Sequence, residues 1–166
     1  MTTTLAIDTL LASLTGEKHD GPPPKDKIAA FFANRKFPIV EGSAVTFVWQ
    51  GEADGVSLRH WVYGLESSNS LLRVPGTDIF YLTLEIPPFS RVEYKYELHR
   101  NGGSQWIEDP RNPNRARDPF GANSVLQSEG YEEPGWTQYN EVSRPGTLDT
   151  FLFDSPATKQ RRNAHL

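Results

Sequence analysis

Between Ile79 and Leu98, apolar and polar positions alternate in two successive runs. Phe80, Leu82, Leu84 and Ile86 fall on one side of an extended chain, and Ile79, Tyr81, Thr83 and Glu85 on the other. After Pro87-Pro88-Phe89-Ser90 the alternation resumes, with Val92, Tyr94, Tyr96 and Leu98 inward and Arg91, Glu93, Lys95 and Glu97 outward. A period of two is the mark of a half-buried strand. The short proline-containing break predicts a hairpin, and so an antiparallel pair with one apolar and one charged face. Such a pair is marginal alone and needs a second layer over its apolar face.

The rest of the chain supplies candidates for that layer. Leu5, Ile7, Leu10, Leu11 and Leu14 recur at mostly helical spacing and predict a short amphipathic helix. The stretch Gly16 to Pro24 breaks it. A second helix is expected from Pro24 or Lys25 to about Asn34, with Ile28, Phe31 and Phe32 on one face. The two helices read as an N-terminal extension over residues 1–40.

From Ser43 onward the period becomes two. Val45, Phe47 and Trp49 form one strand. Val56, Leu58, His60 and Val62 form the next, with Ser57, Arg59, Trp61 and Tyr63 opposite. Leu71 to Val74 is a weaker strand, and Asn101-Gly102-Gly103 is a tight-turn signal leading into Gln105-Trp106-Ile107. Ser124-Val125-Leu126 and Leu148 to Phe153 complete the set, and a charged tail, Lys159 to Arg162, follows. About seven short strands without intervening helices predict an all-β sandwich of two sheets over residues 41–140. Its expected core is Phe47, Trp49, Leu58, Phe80, Leu82, Tyr94 and Tyr96.

Asp109 to Gly121 carries prolines at 110, 113 and 119, which argue against a central strand and for an ordered, extended loop. Asp109 and Asp118 read as turn caps beside proline, and the spacing between them does not follow a calcium loop. The arginines at 111, 115 and 117 either grip an anion or pair with nearby acids and hold the loop down. Arg115 is expected on a solvated face, and Phe120 is expected to plug the end of the core.

Composition narrows the function classes. The 166 residues are 37% hydrophobic, which suits one domain with a real core. No apolar run approaches the roughly 20 residues that span a bilayer. The start, Met1-Thr2-Thr3-Thr4, has no signal-like block, so no secretion signal is expected. A chain without cysteine has no disulfide, zinc–thiolate site or cysteine nucleophile; a periplasmic protein can also lack cysteine, and a cytoplasmic location is expected. A net charge of −4 gives no general reason to bind nucleic acid or an anionic membrane.

Catalytic chemistry is harder to find. No Gly-x-Ser-x-Gly segment and no glycine-rich phosphate loop occurs. His19, His60, His99 and His165 sit in no nucleophile or metal motif, so no catalytic residue, metal site or cofactor is expected. The candidate ligand-binding residues are Trp61, Tyr63 and Trp106. The first two point outward from one strand, and flat rings supply large contact area at small entropic cost. The competing reading has Trp61 and Tyr63 covered by the N-terminal helices or a neighbouring domain.

These residues resemble a known family. Val45-Thr46-Phe47-Val48-Trp49, Val56 to Trp61, Gly76-Thr77-Asp78-Ile79-Phe80-Tyr81 and Arg91 to Tyr96 look like the N-terminal domain of enterochelin esterase and its relatives. So do Asp109-Pro110-Arg111-Asn112-Pro113 and Asp118 to Val125. The match runs from about Ser43 to Trp136. It is similar, more distantly, to the glycogen-binding modules that precede α-amylase-type barrels. The resemblance implies an immunoglobulin-like, early-set sandwich preceding an α/β-hydrolase domain that cleaves a ferric catecholate siderophore. On that basis residues 141–166 are the linker and start of the hydrolase domain, with Leu148 to Phe151 and Arg161 to Ala164 as its entry. The expected partners are that domain of the same polypeptide and a small siderophore, or, in the alternative of a carbohydrate-binding module, a glucan. No catalytic residue of the family has a matching position here.

Overall fold

The computed structural model describes residues 4–15, 24–33, 35–61, 66–119, 121–138, 140, 142 and 146–166. Expectations about Gly16 to Pro23, Val62, Tyr63, Phe120 and Tyr139 lie outside them. The chain divides into two compact units, residues 1–132 and 133–166.

In the first unit the alternating runs become two antiparallel sheets. One is ordered β1-β2-β6-β5, from β1 (Ile39–Glu41), β2 (Ala44–Gln50), β5 (Leu72–Arg73) and β6 (Ile79–Glu85). The other is ordered β4-β3-β7-β10-β9, from β3 (Gly55–His60), β4 (Ser68–Ser70), β7 (Arg91–Arg100), β9 (Arg115–Asp118) and β10 (Gly121–Gln127). β8 (Gly103–Ile107) pairs with β7 through the Asn101-Gly102 turn, whose φ angles of 49° and 75° are those such a tight turn requires. The architecture is an all-β sandwich with short N-terminal helices. Phe47 and Phe80 face Leu58, Tyr94, Tyr96 and Leu126 across its core, and Trp49 and Leu82 are partly buried at its margin. Phe47 and Tyr94 meet edge to face at 5.0 Å across the two layers.

The predicted hairpin of β6 and β7 does not form. β6 pairs with β2 and β5, and β7 with β3, β8 and β10, so the two runs lie in opposite sheets. Pro87 and Pro88 bring no backbone N–H to a ladder. The link is instead tied to the end of β10. The Phe89 N–H donates to the Glu129 carbonyl at 2.8 Å, and the Ser90 N–H to the Ser128 hydroxyl at 2.7 Å. That hydroxyl donates onward to the Pro87 carbonyl at 2.9 Å. The connection therefore arches over the sandwich, and the two apolar faces meet instead of lying side by side.

The second side of β6 is not a charged face either. Ile79, with Val48, Val74 and Ile39, packs against Ile7 and Leu10 of α1 (Ala6–Thr15) and Phe31 of α2 (Lys25–Phe32). The run Ile79-Phe80-Tyr81-Leu82 is buried or half-buried on both sides because helices cover one face and a sheet the other. The Ala6 N–H at the start of α1 donates to the Glu41 carboxylate at 3.0 Å, which fixes the helix to β1.

The end of the described part of the proline-rich segment forms the edge strand β9 on β10. Asp109 is fully buried and is the centre of the clasp. Its carboxylate accepts from the Tyr94 hydroxyl at 2.7 Å, the Tyr96 hydroxyl at 3.4 Å and the Arg111 N–H at 2.8 Å. Its own N–H donates to the Ser124 hydroxyl at 2.7 Å. Burial pushes the Asp109 carboxyl above its ordinary value, against the pull of the Tyr94, Arg111 and Tyr96 donors. Burial and then the Asp109 charge push both phenols well above theirs.

Arg115 is not on a solvated face. Its guanidinium reaches Glu108 at 2.6 Å and the carbonyls of Asp109 at 2.9 Å and Asn114 at 3.0 Å, and also bonds the carbonyl of Asn112. Turn carbonyls left over by a strandless loop are good acceptors for a five-donor fork, and that draws the side chain inward.

In the second unit the expected charged tail is a strand. β11 (Thr150–Ser155) pairs with β12 (Gln160–His165) as an antiparallel hairpin, with the Phe151 and Phe153 rings 6.2 Å apart on one side. A single turn of 3₁₀-helix, Gly135–Thr137, precedes it. No helix among the described residues is long and apolar enough to cross a membrane.

Candidate functional site

The two outer surfaces of the sandwich differ. Helices cover β2 and β6. On the other sheet, outward positions alternate with core ones along β3, β7, β8 and β10 and form a polar and aromatic face. Register builds that face. Ser57 lies opposite Glu97 and Arg59 opposite Lys95 across β3 and β7, and Glu97 lies opposite Trp106 across β7 and β8. Trp106 is 48% exposed and Trp61, just past the end of β3, is 61% exposed.

The middle of the face is wired tightly. The Arg59 Nε donates to Glu97 at 2.7 Å, and its guanidinium lies 5.2 Å from the Trp106 ring centroid. Glu97 is largely covered, and that desolvation would raise its pKa. Hydrogen bonds from Arg59, Ser104 and Trp106 outweigh it and hold the carboxyl below its ordinary value. Trp106 is therefore held by both its indole N–H and its ring face.

Trp61 lies at the other end, beside Glu93, Arg91 and Asn123, in a shallow cleft of about 360 Å³. The Asn123 amide donates to Glu93 at 2.9 Å, and that bond does most to hold the Glu93 carboxyl below its ordinary value. His60 pairs with Tyr94, so Trp61 follows level with Glu93, while Trp106 is level with Glu97. Four residues of β7 separate those levels, roughly 14 Å at about 3.4 Å per residue. Lys95 stands between them, half-buried.

Of the sequence candidates, Trp61 and Trp106 thus share this face, and Tyr63 lies outside the described residues. Period-two counting placed Arg59 and Glu97 outward but did not name them as site residues, and it passed over Asn123, which sits at an outward position of β10.

Nucleophilic chemistry has little footing on the described residues. Ser57 Oγ and His99 Nε2 are 3.1 Å apart, but Ser57 is buried and no described carboxylate is hydrogen-bonded to His99. His60 is buried against Asn69 at 2.9 Å, and His165 meets Thr150 at 2.9 Å. No group of three or more acidic or histidine side chains among the described residues could hold a metal ion. The face is suited to stacking on flat rings and bonding hydroxyls at their rims.

No family model and no curated protein matches the chain. Solved structures do. The ferric enterobactin esterase of Salmonella typhimurium superposes with a TM-score of 0.55 at 17% identity, over 74% of this chain and 40% of that one. The enterobactin esterase of Shigella flexneri, solved in the presence of enterobactin, gives 0.52 at 21% identity, over 72% and 38%. A pullulanase from Bacillus acidopullulyticus gives 0.45 at 18% identity over 57% of this chain, too slight a likeness to carry an argument. The chain spans about two fifths of the length of the esterases it matches. What it shares with part of those enzymes is the fold of the sandwich.

Proposed function

We propose that this chain is a non-catalytic accessory domain of an enterochelin esterase-like α/β hydrolase, where it helps shape or cover a site for a ferric catecholate siderophore. The observation that carries the reading is the shared fold over nearly three quarters of the chain with esterases of which it spans only two fifths. A second observation agrees with it. The β11–β12 hairpin carries half-exposed Phe151 and Phe153, and a two-stranded hairpin is marginal without another layer. In this reading the hydrolase domain of the same polypeptide supplies both that layer and the catalytic groups, and the enzyme works in the cytoplasm. The test pairs the coding sequence downstream of Leu166 with an ester-hydrolysis assay. A downstream α/β-hydrolase domain is expected, together with no turnover of a generic ester or an enterobactin-type trilactone by the chain alone. Turnover by the chain alone, or a downstream sequence of another class, overturns the reading.

The aromatic face favours a second reading, a glucan-binding module. Trp61 and Trp106 are exposed on one polar sheet face, and Lys95, Glu93 and Asn123 offer hydrogen bonds between and beside them. Titration with glycogen and maltoheptaose, followed by tryptophan fluorescence, should then saturate, and Trp61→Ala should abolish binding without unfolding the protein. A flat titration removes this reading and leaves the first in place.

A further inference from the structure

The helix-covered side of the sandwich holds a groove that neither reading uses. It lies between α2 and the turn joining β5 to β6, and encloses about 840 Å³, within the usual range for small-molecule sites. One wall is the helix, with Ile28, Ala29 and the Phe32 ring. Arg111 lies over the Phe32 ring on that wall, Arg73 of β5 lines the groove from the sheet edge, and Lys25 stands at the start of the helix.

The two guanidinium groups are positioned but not neutralised. Arg111 lies 4.0 Å from the Phe32 ring centroid and donates one N–H to the Gln50 side-chain carbonyl at 2.9 Å. The Arg73 Nε donates to the Thr77 carbonyl at 2.9 Å, and its guanidinium lies 5.4 Å from the Phe80 ring. Among the described residues, Arg59, Arg91, Arg115 and Arg161 each meet a carboxylate, whereas Arg73, Arg111 and Lys25 meet none. Asp78 also lines the groove and accepts from the Gln50 amide at 3.4 Å. The groove itself is lined by three cations and that one carboxylate, and Glu52 and Asp54 share only the adjoining cleft with Arg73.

Guanidinium groups fixed by an aromatic face and a neutral acceptor keep most of their fork of donors free. A bare phosphate would satisfy them but would leave the apolar wall uncovered. We propose that the groove binds a small aryl carboxylate, with its ring along Ile28, Ala29 and Phe32 and its carboxylate bridged by Arg111 and Arg73. The inference is independent of both functional readings, because the site lies on the side of the sandwich opposite Trp61 and Trp106.

The full chain, labelled with ¹⁵N, would be titrated with 2-naphthoate and with its neutral analogue 2-naphthylmethanol. Saturable shifts confined to Ile28–Phe32, Gly76–Asp78 and Arg111 are expected at up to about 10 mM ligand, with the alcohol about tenfold weaker. Arg111→Gln should weaken naphthoate about tenfold, while Arg161→Gln, an equal change in charge on the other unit, should not. Ala29→Trp, which fills the groove at an exposed helix position without changing charge, should abolish binding while the melting temperature holds. Absence of saturation, equal binding of the alcohol, or full binding by Ala29→Trp overturns the proposal.

Discussion

Tyr94→Phe is the sharpest test of how the proline-rich segment is held. The substitution removes a single oxygen from a fully buried position and leaves the ring's packing against Phe47 intact. That oxygen donates to the Asp109 carboxylate at 2.7 Å and accepts from the Asn112 amide at 3.1 Å. A hydrogen bond to a charged group contributes about 1.5–3 kcal/mol, and the orphaned Asn112 N–H adds to the loss, since its amide keeps only the Val125 carbonyl at 2.8 Å. The expected cost is about 2–4 kcal/mol near neutral pH, read as a fall in the urea midpoint at unchanged slope.

The cost should also depend on pH, and its sign follows from Asp109. Burial raises the folded carboxyl above its ordinary 3.8, so ionising it opposes folding. Its contribution to stability is therefore full below the unfolded value and is lost as pH rises through the folded one. The Tyr94 hydroxyl pulls that folded value down, so its removal raises the value further and widens the window of loss. The gap between wild type and variant should be smaller at about pH 4 than at about pH 7.5. A gap below about 1 kcal/mol at the higher pH, or one that narrows as pH rises, would refute a clasp built on the Tyr94–Asp109 bond.

Arg115→Ala should cost about 1–3 kcal/mol by urea unfolding through the lost bonds to the carbonyls of Asp109, Asn112 and Asn114. The partly exposed pair with Glu108 contributes little of that, and Arg117→Ala, at an exposed position of β9, should stay within about 0.5 kcal/mol. Leu10→Ala should cost about 2–5 kcal/mol if α1 is a structural layer, and a loss under about 1 kcal/mol would make the helices dispensable.

Alternation found β2, β3, β6 and β7 but not the sheets they join. The run from Val92 to Leu98 was legible as β7, and Asn101-Gly102 as its turn into β8, because a tight turn is encoded locally. The partner of β6 was not, because whether a short link folds back or arches over depends on what receives its backbone groups. Here Ser128 and Glu129, some 40 residues away, receive them. One signal was present and underweighted. The unbroken apolar run Ile79 to Leu82 is what a strand covered on both faces needs, and it pointed to the helices as the third layer. Arg115 misled for a different reason. Its charge is visible in sequence, whereas the carbonyls that attract it exist only once prolines have turned the loop.

The candidate face follows from the same accounting of layers. A sheet in a sandwich has one face in the core, and its other face must be either covered or polar. α1 and α2 cover the outside of β2 and β6, so Val48 and Ile79 there are apolar. Over β3, β7 and β8 the described residues of the first unit supply no such layer, and the outward positions are Ser57, Arg59, Glu93, Lys95 and Glu97. Against that background Trp61 and Trp106 are not leftovers of a core. Trp106 is anchored by Glu97 and Arg59, an arrangement that fixes a ring in place while leaving it half open to solvent. Rings prepared in this way lose little freedom when they stack on a ligand, which is the reason to look for binding on this face.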